Sequence, residues 1–393
     1  MKDESMKKQN FLQGAAILAA ATLIVKLLGF LFKTPLNYII GETGSSYFYN
    51  AYRVYDVLLM ISTTGLPVAM SRMISEAQTL GNHAQIRKIY KTALYVFLTI
   101  GIVGSLGMFL FSKPLSVLVS NSETSWAAIA ALAPCVLIIC MISAYRGFFQ
   151  GQSNMAPTSI SQIFEAIIRL VIGLSLAWLL MRETGSATYA AAGGILGVTV
   201  GSFVSMVYLH GKFRQSSKIL QEAGGTAKST RATMKELLAI AIPITLGAAG
   251  LQIINLVDAS IYMRRLSGAL GYTATQVDTL NGIYTFQQTI FALPCSFITT
   301  ITISCIPAIT AALTRKDDAE AKGTEESAIR TMALIALPCA IGLAVMAEPI
   351  ISAPVTARRA SPSRRRSCRC SALRSSATRW CSCSMRSCRP TAT

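Results

Sequence analysis

Charge is what this sequence has least of. Only 14% of its 393 residues are Asp, Glu, Lys or Arg, against 52% hydrophobic, and the mean hydropathy is positive. Soluble domains carry about a quarter charged residues, so a soluble fold is excluded and an all-α polytopic membrane protein is implied. Histidine is scarce too: His83 and His210 are the two present, both at expected loop edges where solvation is their ordinary state. No nucleophile stands beside a base, no glycine-rich phosphate loop opens a helix, and no His/Cys/Asp/Glu group has metal-ligand spacing. These absences point away from an enzyme and call for no cofactor and no metal.

Acids are missing altogether from Ser352 to Thr393, which holds ten arginines; without them the net charge of +18 falls to +8. That remainder lies mostly in loops, as cytoplasmic anchoring requires, and does not suggest nucleic-acid binding. Cysteine divides the same way. Cys135, Cys140, Cys295, Cys305 and Cys339 fall in apolar runs and read as small hydrophobes, whereas Cys368, Cys370, Cys381, Cys383 and Cys388 crowd the tail without His or acid beside them.

What the sequence has is long apolar runs. Spans are expected at Phe11–Ile40, Ser46–Ala77, Ile89–Phe111, Trp126–Tyr145, Pro157–Met181, Tyr189–Leu209, Glu236–Met263, Gly282–Leu313 and Ile329–Ile351, each about the length a bilayer needs. The first is too long for a signal-peptide core and lacks a small-residue cleavage pattern. Basic residues collect in alternate connections: Arg87, Lys88 and Lys91 in the second, six in Lys212–Lys235 and four in Arg315–Arg330. The positive-inside rule then places the amino terminus in the cytoplasm of a bacterial cell membrane.

Several charges lie inside these runs. Lys26 and Lys33 are seven apart and share a face of the first span, with Pro35 expected to bend its far end. In the second span Arg53 and Asp56 stand near one end and Arg72 and Glu76 near the other, and Gly65 with Pro67 marks a break between. Glu165 and Arg169 are four apart on the fifth span, so opposite charges meet on one helix face. Either the pair locks helices together or it lines a polar cavity; both readings place it inside the bundle. A short hinge built on Gly147, Gly151, Asn154 and Pro157 is expected just before it. The seventh span carries Asn255, Asp258, Arg264 and Arg265. The two arginines suit an interfacial anchor or a cavity equally, and Asp258 is expected to lie deeper.

The order of elements repeats. The seventh and eighth spans echo the first and second, with proline breaks at Pro67 and Pro307, and Lys113-Pro114-Leu115 is echoed by Glu348-Pro349-Ile350. Two parallel six-helix halves, with a site between them, are a transporter pattern. The expected division is 1–211 for the first half, 212–235 for a cytoplasmic connection and 236–351 for a second half truncated after about three helices. Residues 352–393, an Arg/Ser/Cys-rich mixture, read as the product of a shifted reading frame, with a polybasic palmitoylated tail as the rival.

The runs RGFFQG and NMAPTSISQ, the E-x-x-x-R of Glu165 and Arg169, KLLGFLFKTPL, STTGLPVAMSRMISEA and N-x-x-D followed by RRL resemble the polysaccharide flippases related to stage V sporulation protein B. That family lies in the multidrug/oligosaccharidyl-lipid/polysaccharide exporter superfamily. The resemblance implies a flippase that moves a polyprenyl-diphosphate-linked saccharide or cell-wall precursor across the bilayer by alternating access. It carries over Glu165, Arg169, Asp258, Arg264 and Arg265 as cavity residues, and more weakly Lys26 and Lys33. Lys26, Lys33, Arg53, Arg169 and Arg264 would supply positive charge in a low-dielectric site, where a lipid diphosphate is held strongly. The rival function is a cation-coupled multidrug exporter, which needs membrane carboxylates without basic partners. Partners are thus the bilayer and a lipid-linked substrate, with a coupling ion left open.

Overall fold

The computed structural model describes residues 11–221, 227–290, 292 and 318–345. Every regular element among them is helical. Hydrocarbon demands this, because it offers no water to backbone N–H and C=O groups, and a helix satisfies both within itself. The order is α1 (Phe11–Met60), a π-helical segment (Ile61–Gly65), α2 (Leu66–Thr79), α3 (His83–Leu110), α4 (Ser112–Ser120) and α5 (Trp126–Gly151). Then follow α6 (Ala156–Thr184), α7 (Ala187–Gln221), α8 (Thr230–Gly268), α9 (residues 274–290) and α10 (Asp318–Val345). Among the described residues six helical stretches are long and apolar enough to cross a membrane, and one, Ala20–Thr79, takes in most of the first expected span and all of the second. The protein is therefore a multi-pass, all-α membrane protein.

The chain divides into two compact units between Phe286 and Gln287. In the first, α5 and α7 bury most of their apolar windows, whereas α1, α3, α6 and α8 leave theirs largely exposed. The inner pair is wrapped by the others: α6 runs along α7, α3 along α5, and α1 against α6. Phe32, Leu36, Phe48, Phe97, Ile129 and Phe148 fill the space between. Val103, Leu106, Phe109 and Val171 point outward, as a lipid-facing surface allows. Small residues on α7 let α6 approach: a Cβ at Gly197 would collide with Gly173. Such close backbone contact replaces the hydrophobic effect, which has no force between helices already in lipid. In the second unit α10 is one helix with Pro338 inside it.

The first two spans meet without a loop. Pro35 stays within α1, and the break falls at Gly41, whose φ of 73° and ψ of −175° leave the helix. The chain thus leaves the helix at Gly41, six residues beyond the expected bend at Pro35. Proline removes one hydrogen bond and a helix can bend around it, but a positive φ reverses the backbone's hand and needs glycine. The Ser45 hydroxyl lies 2.7 Å from the Gly41 carbonyl and 2.6 Å from Asn37 Oδ1, tying the two segments across the break.

The expected break at Gly65 and Pro67 takes the form of the π segment, with Pro67 in the first turn of α2. Ser62 and Thr63 donate to the carbonyls of Leu58 and Leu59 at 2.9 and 2.8 Å, and Thr64 donates to Met60. These back-bonds occupy carbonyls that the widened turn loosens. The short hinge expected from Gly147, Gly151, Asn154 and Pro157 is present at residues 152–155, with Asn154 in it and Pro157 in the first turn of α6, but the two glycines lie in the helix before it. α5 remains helical to Gly151, because Gly147 and Gly151 pack against Pro67 and Ile74 of α2 and take no part in the turn that follows.

At the other end of the bundle, the long polar connection is shorter than expected, since α7 runs to Gln221 and α8 starts at Thr230 behind a Ser229 cap. The Gln85 side chain accepts from the Lys228 backbone N–H at 2.8 Å, and Lys228 Nζ meets Glu236 at 3.0 Å, which holds that ammonium above the usual lysine range. His210 is exposed but also bonded, its Nδ1 2.8 Å from the Tyr145 hydroxyl. His83 is half-buried, with an Nδ1 that has no hydrogen-bond partner, so neither histidine is simply solvated. Pro307, the rest of the eighth span and the tail from Ser352 lie outside the described residues.

Because a side chain at Gly41 would be forced into the left-handed region at about 1–2 kcal/mol, Gly41→Val should lower the melting temperature in detergent. An unchanged melting temperature would show that the break does not depend on glycine.

Candidate ion cluster in the helical bundle

Glu165 sits on the face of α6 that meets α5 and α7, and it is 8% exposed. Its carboxylate is shared. Arg169, one turn on, donates to Oε1 at 2.8 Å, and Arg146 of α5 donates to Oε2 at 3.1 Å. Ser202 of α7 donates to Oε1 at 3.2 Å, so three helices converge on one acid. Arg146 also reaches Ser161 Oγ, whose proton goes to the Thr158 carbonyl. The i, i+4 pair expected within α6 is present, but it is half of a trio whose net charge is positive. Arg146 was not foreseen as a partner, although it opens the RGFFQG run, because pairing between helices leaves no trace in spacing along the chain.

The trio is not fully satisfied: Arg169 Nε is buried with no acceptor among the described residues. Tyr52, Tyr55 and Cys135 lie within electrostatic reach of the same guanidinium. Lys33, half-buried on α1, feels both Arg169 and Asp56, and its Nζ stands 5.2 Å from the centre of the Tyr49 ring. Lys33, Glu165 and Arg169 are thus drawn together as one group. Lys26 lies half-buried two turns earlier on α1.

A second polar group forms where α1 meets α9. Arg53 donates to Asn50 Oδ1 at 2.9 Å and to Asn281 Oδ1 at 3.0 Å, and Asp258 of α8 lies within its electrostatic reach. The i, i+3 neighbours Arg53 and Asp56 therefore do not pair: Arg53 turns to α9 while Asp56 faces Lys33. Asp258, expected to lie deeper in its span than the two arginines, has an exposed side chain, as have Arg264 and Arg265 near the end of α8. Among the described residues no ion pair joins those two arginines to either group. Arg72 and Glu76 are exposed on α2. No set of three or more His, Cys, Asp or Glu side chains could hold a metal among the described residues.

Residues 11–313 match the family described as Polysaccharide biosynthesis protein. The chain belongs to that family. It is 26% identical over 358 residues to the lipid II flippase MurJ of Bacillus subtilis, covering 86% of this chain and 65% of that one. It is 29% identical over 320 residues to stage V sporulation protein B of Bacillus subtilis, covering 79% of this chain and 60% of the relative. The chain thus spans less than two thirds of the length of both. In architecture it is similar to an inward-facing multidrug resistance MATE family transporter of the MOP superfamily, with a TM-score of 0.63 over 88% of this chain and 77% of that one. At 12% identity that likeness establishes the fold alone. The resemblance read from the motifs is confirmed.

Breaking a buried ion pair from one side costs about 3–5 kcal/mol, whereas replacing all its members by apolar groups can cost little. Glu165→Ala should therefore lower the melting temperature more than the triple variant Arg146→Met, Glu165→Met, Arg169→Leu. If the triple variant were the less stable, the trio would be a net stabiliser of the bundle.

Proposed function

We propose that this protein moves an anionic lipid, a polyprenyl-diphosphate-linked saccharide or cell-wall precursor, between the leaflets of the cytoplasmic membrane by alternating access. The observation that carries the reading is the surplus of positive charge around Glu165. One carboxylate serves two guanidiniums, Arg169 keeps an N–H without an acceptor, and Lys33 stands in the field of the same group. A charge at the centre of a membrane helix costs about 3 kcal/mol on insertion scales, so such a surplus needs a function. A diphosphate supplies the missing negative charge and the missing acceptor. The names of the two Bacillus subtilis relatives, a lipid II flippase and a stage V sporulation protein, agree with this substrate class.

Export of cationic drugs is the weaker reading. It calls for a carboxylate free of basic neighbours and presented to the substrate, whereas Glu165 is doubly paired and Asp56 and Asp258 each lie in the field of a cation. Lys26, Lys33, Arg53, Glu165, Arg169, Asp258, Arg264 and Arg265 are proposed to line the substrate path, with Arg146 added to them. The halves are proposed to meet at 212–235, and the amino terminus to lie in the cytoplasm.

Two measurements test this. Transport of a lipid diphosphate in liposomes by the full-length protein should persist in Lys26→Arg and Lys33→Arg and be lost when both lysines become glutamate; retained transport in a folded double variant would overturn the anionic reading. Single cysteines at Lys88 and Lys228 should resist an impermeant thiol reagent applied to intact cells. Labelling at both would reverse the topology.

A further inference from the structure

Asp278 sits on α9 ahead of the apolar run that begins at Gly282, and it is 2% exposed. Its neighbours are hydroxyls. Ser46 of α1 donates to Oδ1 at 3.1 Å, and Thr124, in the turn between α4 and α5, donates to Oδ2 at 3.4 Å. No ion pair to Asp278 forms among the described residues. The nearby cation, Arg53, is held instead by the side-chain oxygens of Asn50 and Asn281. Those amides in turn donate to Ser46 Oγ, Asn281 at 2.7 Å and Asn50 at 3.4 Å, so the single Ser46 proton is directed at Asp278.

The helices around this carboxylate touch backbone to backbone. A Cβ at Gly282 would collide with the Glu42 carbonyl, one residue past the Gly41 break, so α9 closes directly onto the joint between the first two spans. This contact keeps Asp278 buried. Tyr47 of α1 and Tyr262 of α8 feel its charge, and the other ionisable groups on the elements packed here include Glu42 and Arg53 of α1, Glu123 beside Thr124 and Asp258 of α8.

We propose that Asp278 is a proton-binding site that gates the outer end of the bundle: protonated, it is sealed between α1, the α4–α5 turn and α9; ionised, it favours separation of α9 from α1. The step moves one proton, from outer bulk water to the carboxylate on closure and back to that water on opening. A carboxylate without a cation partner loses hydration on burial, and two hydroxyl donors recover only part of it. Burial accordingly pushes Asp278 up to about 6 in the closed form. When separation restores hydration the group returns toward the usual carboxylate range, about 4. A group whose affinity for protons is higher in the closed form stabilises that form below both values, and the advantage is lost as pH rises through about 6. This inference rests on the alternating-access reading and the orientation proposed above.

The test uses the full-length protein in liposomes of one insertion orientation, with native cysteines replaced and spin labels at Asn121→Cys and Gln276→Cys, both exposed positions flanking the contact. The short distance should dominate at outer pH 5 and give way to a longer one as outer pH rises through about 6. Asp278→Asn, which keeps the shape and cannot ionise, should hold the short distance at every pH. Ser46→Ala should move the midpoint upward, since the ionised form loses a donor. An unaltered titration in Asp278→Asn would overturn the proposal, as would a distance that ignores pH on both sides. If only the inner pH moved the distance, and Asp278→Asn abolished that response, the gate would stand and the orientation would fail. Loss of lipid transport with the distance titration intact would count against the proposed substrate and not against the gate.

Discussion

The cost of leaving a polar group unsatisfied in hydrocarbon governs this molecule. It makes every regular element among the described residues helical, and it decides where the few charges can go. Glu165, Arg146 and Arg169 can exist inside the bundle because each neutralises part of another, across α5 and α6, with Ser202 of α7 supplying a further donor. The same cost leaves Arg53 dependent on two amide oxygens, Asn50 and Asn281, from helices far apart in sequence. The proposed function draws on what this pairing leaves over: positive charge around Glu165 and, among the described residues, a carboxylate at Asp278 without an ion-pair partner.

The breaks in the helices serve the same groups. Gly41 lets α1 change direction close to Ser45 and Ser46, where the polar contact with α9 forms. The π segment Ile61–Gly65 sits one turn beyond Asp56 and brings Ser62 to Cys140 of α5 at 3.1 Å. Irregular backbone in a membrane survives only where protein or side-chain hydroxyls satisfy it, and both breaks meet that condition. Gly41 falls between Lys33 and Arg53, and the π segment follows Arg53 and Asp56, so α1 is the element that carries both groups.

Fold and family were legible in the sequence to an unusual degree. Runs of about twenty apolar residues are set by bilayer thickness and do not depend on neighbours, so the spans from α1 to α8 could be placed directly. The Glu165–Arg169 pair was legible for the same kind of reason, since a four-residue spacing fixes proximity within one helix. Pro67 marked its break correctly because a missing N–H acts locally. Pro35 did not mark the point where the chain leaves the helix, since a helix can absorb one lost hydrogen bond; that point is Gly41, whose positive φ strains any other residue.

By itself, then, the sequence determined the number and length of most spans, the family, and which charges had to be accounted for inside the membrane, because these depend on composition and spacing along one chain. Only the tertiary structure decided which charges meet. It gave Glu165 a second arginine from α5, separated Arg53 from Asp56, placed Asp258 and the two arginines after it on an exposed stretch of α8, and buried Asp278 behind Ser46. Those outcomes depend on which helix faces come into contact. Electrostatic pairing acts over a few ångströms in space, and helix packing brings within that distance residues that lie more than two hundred positions apart in the chain.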